Sequence, residues 1–180
     1  MSTDTLIGGL GRVCDFSCGI APVDSQTANM TGMRMSMQNC GGVMIVVFKA
    51  AGIAADDPTL TLYEHTAYTG GTSTVLTAIT NYALKQETAL DGDEIWVETA
   101  QTKASTLVGN ATSAETQEII VIDVRSEQLT AGYTHISAYI ADTGAGGTQP
   151  LSVMYVPYDL KMQRRPNNMP NWLNPGAANA

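Results

Sequence analysis

The sequence has few of the residues from which catalytic sites are commonly built. Its 180 residues include only two histidines, His65 and His135, and neither stands in a nucleophile motif such as GxSxG. No glycine-rich loop is followed by the Lys-Ser/Thr pair that holds phosphates. The 17 acidic residues offer carboxylate pairs throughout the chain, so they give no specific sign of a glycosidase. We therefore predict that the protein is not an enzyme and uses no cofactor.

Cysteine is also scarce, and its number and spacing exclude two further kinds of site. The three cysteines, Cys14, Cys18 and Cys40, are an odd number, so a complete disulfide framework is impossible. Neither the cysteines nor the histidines show the paired spacing of a zinc site. We therefore expect the thiols to be free and mostly buried, in a reducing compartment. Asp91-Gly92-Asp93 with Glu94 could hold calcium, but an Asp-Gly-Asp sequence is typical of a hairpin turn. We predict no metal site.

Charged residues are few, and those of positive sign are fewest. They make up 14% of the chain, and the net charge is −8, whereas about a quarter of an average protein is charged. Such a surface lacks the counterion-release term that drives nucleic-acid binding, so we expect no nucleic-acid partner. A partner with a basic surface remains compatible with this charge.

Long apolar stretches are absent. No run approaches the length of about 20 residues that a membrane helix needs, and the N-terminus lacks the basic start and apolar core of a signal peptide. We expect no membrane partner. We also expect synthesis in the cytoplasm, which the protein would leave only as part of an assembly.

The apolar residues that are present favour β-structure. Residues 42–50 form the densest apolar run, which is β-branched and bounded by glycines, as in a buried strand. Because this run is unbroken, we expect side chains covered on both faces. Residues 119–124 form a second run that we place beside it in the core. With the weaker segments, including 75–86, which is compatible with strand or helix, these runs predict an all-β, antiparallel β-sandwich or jelly roll of about eight strands.

The two ends of the chain differ from this body and are predicted to be extended arms. We divide the chain into an N-terminal arm, 1–28, a β-sandwich domain, 29–160, and a C-terminal arm, 161–180. No acidic residue follows Asp159, and prolines interrupt the last segment. Large apolar groups in such an arm are explained by an anchor on a neighbouring subunit, or by an arm that folds back on its own domain. The candidate interface residues are Leu6, Ile7, Arg164, Arg165, Trp172 and Leu173.

With the strands placed, the chain resembles a group of virion structural proteins of tailed bacteriophages. The resembling segments are 35–39 leading into 43–48, 59–62, 118–123, 132–136 and the basic end at Arg164-Arg165-Pro166, within residues 30–166. Members of such families are head decoration or minor capsid proteins, or components of the neck and tail. The resemblance therefore implies a non-catalytic coat component and carries no catalytic residue to this chain.

Three functional hypotheses follow. The first is a capsid decoration (cement) protein that forms a homotrimer, binds the major capsid protein and stabilises its lattice on the capsid surface of a virion assembled in the host cytoplasm. The second is a neck or tail-tube subunit. The third, from another class, is a carbohydrate-binding sandwich module, which would need a row of exposed aromatic residues; the candidates are Tyr63, Tyr68, Trp96 and Tyr139.

Overall fold

The computed structural model describes residues 9–54, 57–108, 114–144, 146–164, 168–169 and 171–173. Over these residues the chain forms two antiparallel β-sheets that pack as a sandwich, so the predicted fold class is confirmed. The described part of the chain contains no helix that is long and apolar enough to cross a membrane. A 3-10 turn is formed by Ser126–Gln128.

Both sheets contain six strands, and we call the one with the longer strands the larger sheet. Its strand order is β1-β12-β4-β10-β7-β8. The bounds of these strands are β1 Ser17–Asp24, β4 Gly42–Lys49, β7 Ile79–Glu87, β8 Val97–Ala104, β10 Gln117–Arg125 and β12 Pro150–Tyr158. The smaller sheet follows the order β2-β11-β5-β6, with β3 paired to β11 and β9 paired to β5. Its strands are β2 Met30–Thr31, β3 Met35–Ser36, β5 Thr59–His65, β6 Ser73–Val75, β9 Thr106–Val108 and β11 His135–Ile140.

The two apolar runs lie side by side at the centre of the larger sheet. In the β4–β10 pair Ile45 lies opposite Ile122, and in the β4–β12 pair it lies opposite Tyr155. All three side chains are buried. The predicted position of the second run beside the first is therefore confirmed, and the ambiguous segment 75–86 forms most of strand β7.

Tyr155 connects the two sheets through the core. The backbone N–H of Ala138, in the smaller sheet, donates a hydrogen bond of 2.9 Å to the Tyr155 hydroxyl oxygen. Gly19 and Gly32 make room for this side chain, since a Cβ on Gly19 would lie 2.8 Å from the tyrosine ring and one on Gly32 2.9 Å from its hydroxyl. Burial raises the pKa of Tyr155 well above its ordinary value, so the phenol stays protonated.

The structure corrects the expectation that β4 is covered on both faces. Val43, Ile45 and Val47 face the core and are buried, but on the opposite face Met44 and Val46 are half-buried and Phe48 is 52% exposed. A strand in a two-layer sandwich has one face against the other sheet. No third layer covers the second face within the described residues, although its composition suits burial.

The structure also places part of the predicted N-terminal arm inside the sandwich. Strand β1 lies within residues 1–28 and pairs with β12 at the edge of the larger sheet, with register shifts near Gly19 and Pro22. The strands number twelve among the described residues, against about eight expected, because four of them contain only two or three residues. Such short strands leave no periodic signal in a sequence.

Candidate interaction surfaces

The two ends of the described chain hold each other in an arrangement that we call the terminal clasp. The Asp15 N–H donates to the carbonyl of Pro157 at 3.0 Å, and the Arg164 N–H donates to the carbonyl of Gly11 at 2.9 Å. Trp172 is 3% exposed and packs in the core. Its indole Nε1–H donates a hydrogen bond of 2.5 Å to Asp15 Oδ2.

The terminal clasp bears on the two alternatives for the large apolar groups of the C-terminal segment. The Trp172 side chain contacts its own domain, and its carbonyl accepts a hydrogen bond of 2.9 Å from the Ser36 N–H. Leu173 is partly buried against the same core. In this single-chain structure Trp172 is therefore packed within its own subunit, as in the second alternative. Arg164 is exposed. Leu6, Ile7 and Arg165 lie outside the described residues.

The outer face of the larger sheet carries an apolar surface, which we call the outer face patch. Directly opposed residues of neighbouring strands point to the same side, and the register sets Phe48 opposite Ile119 and Val46 opposite both Val121 and Met154. Phe48 and Met154 are exposed and the other three are half-buried. Large contiguous apolar patches on a protein surface mark interaction sites, and these five side chains form a candidate for one.

Polar and aromatic groups border the outer face patch at the end of the sheet where β4 begins. The Tyr158 hydroxyl donates to Asp123 Oδ1 at 2.5 Å, and Arg125 forms an ion pair of 2.9 Å with Asp159 while its guanidinium lies 5.2 Å from the Tyr158 ring centre. A depression of about 660 Å³ lies between this border and Trp96. Trp96 is exposed just before β8, beneath the Lys85 ammonium.

A second depression lies on the core side of the β7–β8 hairpin, and we call it the hairpin groove. Tyr82, Leu84 and Val97 share this side, yet Val97 is 50% exposed and Ile95, just before it, is 78% exposed. The groove has a volume of about 550 Å³. The smaller sheet therefore leaves the core side of this hairpin partly uncovered.

Acidic residues complete the lining of the hairpin groove. Glu87, Asp93 and Glu94 line it, and their carboxylates lie within 4.8 Å of one another and of that of Asp91. The Asp93 carboxylate raises the pKa of Glu87. The pKa of Glu94 is lowered, because its carboxylate accepts hydrogen bonds from the N–H groups of Gly92 at 3.0 Å and of Asp91 at 2.5 Å.

The turn expected at residues 91–93 is thus stabilised by Glu94. We assign no metal to the cluster, because exposed carboxylates commonly group without one. Sequence reasoning missed Glu87, which its position at the end of β7 brings back to the turn.

Both histidines are buried, in a polar cluster on the smaller sheet. They lie opposite each other in the β5–β11 pair. His65 Nδ1 lies 2.7 Å from the Ser73 hydroxyl and its Nε2 lies 2.8 Å from the Ser137 hydroxyl. Burial, with a smaller contribution from the Arg34 guanidinium, lowers the pKa of His65 to about 4. This cluster contains two His–Ser pairs. The Ser137 hydroxyl is closed to a substrate, because Ser137 is 1% exposed, whereas Ser73 lies at the surface.

The aromatic row that a carbohydrate-binding module would need is only partly formed. Tyr63 and Tyr139 meet edge to face with ring centres 6.0 Å apart, and Tyr68 lies beside His135. Trp96 belongs to the other sheet. An edge-to-face pair offers no flat platform on which a sugar ring could stack.

A buried charged pair lies at the end of the larger sheet where β4 ends. Lys49 and Glu118 are opposite each other in the β4–β10 pair and are both buried. The Lys49 ammonium donates to the carbonyls of Thr116 at 2.5 Å and of Ala50 at 3.2 Å. Burial lowers the pKa of Lys49 and raises that of Glu118. These groups are satisfied within the chain and present no accessible site.

Comparisons with known proteins leave the chain without a family. No family model matches it, and no curated protein matches it significantly. Among solved structures it is similar to the SPBc2 prophage-derived protein YomS, with 10% identity and a TM-score of 0.37, over 81% of this chain and 94% of that one. A TM-score this low assigns neither a fold nor a function to the chain.

Proposed function

We propose that the protein is a non-enzymatic structural protein of a phage virion, and specifically a capsid decoration (cement) protein. In this role it forms a homo-oligomer, a trimer in the simplest case, and stabilises the lattice of the major capsid protein at the capsid surface. The virion assignment is supported by the sequence pattern of residues 30–166. The assembly role is supported by the structure of the larger sheet.

The observation that carries the assembly role is the outer face patch. Phe48 and Met154 are exposed beside half-buried Val46, Ile119 and Val121, in a chain whose overall charge would otherwise keep it soluble. Removing such side chains from water favours association by about 25 cal/mol for each Å² of apolar surface. A decoration protein needs a surface of this kind, because it acts by binding to the capsid shell and stabilising it.

The structure changes how a decoration protein of this sequence would grip its neighbours. The sequence suggested terminal arms as the clamps, but Trp172 packs in its own domain. We therefore propose that the outer face patch, and not the Trp172 side chain, contacts the major capsid protein.

The test is the composition and stability of virions with and without the protein. We expect mass spectrometry to detect it in purified particles at a fixed ratio to the major capsid protein. Particles from a phage lacking its gene should lose surface density in electron micrographs and break at lower temperature. The proposal would be refuted if the protein is never found in purified particles. It would also be refuted if a phage lacking its gene makes complete particles of normal stability.

A neck or tail-tube subunit is the second candidate, and one observation favours it. The acidic hairpin groove and an exposed basic surface near Arg164 lie at opposite ends of the larger sheet. Subunits with opposite charge at their two ends suit the head-to-tail contacts of rings and tubes. Intact heads without tails in the deletion phage would support this candidate over the first.

A further inference from the structure

The hairpin groove is an apolar surface that its own chain leaves open. Leu84 and Tyr82 line it from β7, while Val97 and Ile95 line it from the neighbouring segment and are half or more exposed. Strand β8 is the outermost strand on this side of the sheet, so an incoming chain meets no further strand there among the described residues. The groove has both room and apolar lining for part of another molecule.

The charges of the hairpin groove favour a cationic occupant. Glu87, Asp93 and Glu94 line it together, and none of the described residues that line it is basic. Lys85 nearby offsets part of this charge, since its ammonium lowers the pKa of Glu94. The pKa of Glu87 is raised by Asp93, which means that the carboxylates repel one another in the free protein. A basic side chain placed among them would relieve this repulsion, whereas an acidic one would add to it.

The same chain carries a matching surface, which we call the basic patch. It consists of Arg12, Lys161 and Arg164, with Met162 exposed beside them. Arg164 is held next to Arg12 by the hydrogen bond from its N–H to the Gly11 carbonyl. Neither Lys161 nor Arg164 forms an ion pair with any described residue. Lys161 Nζ donates to the Gln38 carbonyl at 2.5 Å and Arg164 Nη1 to the Asn168 carbonyl at 3.4 Å. Both acceptors are neutral, so the patch combines positive charge that no described carboxylate neutralises with an apolar side chain.

The two surfaces cannot meet within one molecule. Glu87 lies opposite Gln117 at the start of β10, whereas Arg125 at its other end pairs with Asp159, two residues before Lys161. Nine residues of β10, at about 3.3 Å each, separate these ends by roughly 30 Å. The occupant of the groove must therefore come from another molecule.

We infer that the hairpin groove of one subunit binds the basic patch of a second copy, which gives a head-to-tail contact between subunits. Lys161 and Arg164 would lie among the groove carboxylates while Met162 contacts Val97 and Ile95. A head-to-tail contact is heterologous, so repetition closes a ring or builds a filament. This inference deepens the proposed role as a self-assembling structural protein and rests on it.

The test exchanges the charges between the two surfaces of the full-length protein. The groove variant is Glu87→Lys with Asp93→Lys, and it leaves Glu94 in place because Glu94 stabilises the turn. The patch variant is Lys161→Glu with Arg164→Glu. Glu127→Lys and Lys103→Glu are single charge-reversal controls, one of each sign, since both residues are exposed and line neither surface. Circular dichroism and thermal unfolding check that each variant folds.

Analytical ultracentrifugation at low salt should show wild-type protein associating with rising concentration, and the controls should match it. Each charge-reversed variant should associate at least about tenfold more weakly. An equimolar mixture of the two variants should form a 1:1 complex, because each supplies the surface that the other has lost. The chain with all four changes should associate again. Added salt should weaken every one of these complexes.

The inference is overturned if the wild-type protein stays monomeric at all concentrations, if the reversed variants associate as the wild type does, or if their mixture forms no complex. These results can be told apart from a failure of the proposed function. Protein that is abundant in virions but insensitive to the charge exchange keeps its structural role and loses the head-to-tail contact. Protein that is absent from virions loses the structural role, whatever its behaviour in the centrifuge.

Discussion

Removing the Trp172 side chain tests whether the C-terminal segment belongs to its own domain. Trp172→Ala deletes an indole that is 3% exposed and packs against the core. Large-to-small changes of this kind cost about 3–5 kcal/mol. For a chain of this length, each kcal/mol lowers the melting temperature by about 2–4 °C. We therefore expect a decrease in the range of roughly 6–20 °C.

The hydrogen bond to Asp15 can be separated from the packing. Trp172→Phe keeps an aromatic ring but removes the Nε1–H that donates to Asp15 Oδ2, and the carboxylate keeps the Phe16 N–H at 2.6 Å as a donor. Hydrogen bonds to charged groups contribute about 1.5–3 kcal/mol, so this variant should lose about that much. A double-mutant cycle with Asp15→Ala should return a coupling energy of similar size.

Urea unfolding, followed by circular dichroism and extrapolated to water, gives these free energies. Phe16→Ser, which changes an exposed side chain next to Asp15, is a control that should leave stability nearly unchanged. A chain that ends at Leu160 should be destabilised at least as much as Trp172→Ala. Wild-type stability in this truncated chain would refute the placement of Trp172 in its own core and restore the alternative of an anchor on a neighbour.

Two further predictions concern the core. His65 has a folded-state pKa of about 4, below its ordinary value of 6.5, so the unfolded chain binds a proton first as the pH falls. The contribution of His65 to the free energy of unfolding is complete above about pH 6.5 and decreases toward pH 4, by up to about 3 kcal/mol. Urea unfolding at pH 7 and pH 4.5 should show this loss. The loss should be smaller in His65→Gln. Gly32→Ala should destabilise the protein by about 1–3 kcal/mol, because the new Cβ would lie 2.6 Å from the Ala138 carbonyl. Gly9→Ala is the control, since nothing lies within 4 Å of its new Cβ and its φ is outside the left-handed region; an equal loss of stability in both variants would contradict the crowding argument.

The fold class could be predicted from the sequence because the apolar runs carry it. The runs that form β4 and β10 are long enough to define strands, and their β-branched residues exclude a comfortable helix. The short strands β2, β3, β6 and β9 have two or three residues each and are specified by their partners. Whether an apolar strand is covered on one face or two depends on the number of layers, which its own composition does not reveal. That is why the exposure of Phe48 was not expected.

The candidate surfaces were harder to predict, because they join residues that are distant in sequence. Asp15 and Trp172 are 157 residues apart, and neither has a local signal that names the other. The acidic turn at residues 91–93 was visible, but Glu87 joins it only once the β7–β8 hairpin forms. The basic composition after Asp159 was also visible, whereas the position of Lys161 at the far end of the sheet from that turn depends on the strand order. Sequence thus identified the charged segments, and topology decided which of them can meet.

The most direct test of the assembly role is hydroxyl-radical footprinting of the outer face patch in the free protein and in purified virions. Met154 and Phe48 are 45% and 52% exposed in the isolated chain, so both should be oxidised readily in solution. If the outer face patch binds the shell, their oxidation in virions should fall by about tenfold or more, while exposed Met33, on the smaller sheet's side, changes little. Equal oxidation of Phe48 and Met154 in free protein and in virions that contain it would contradict the account.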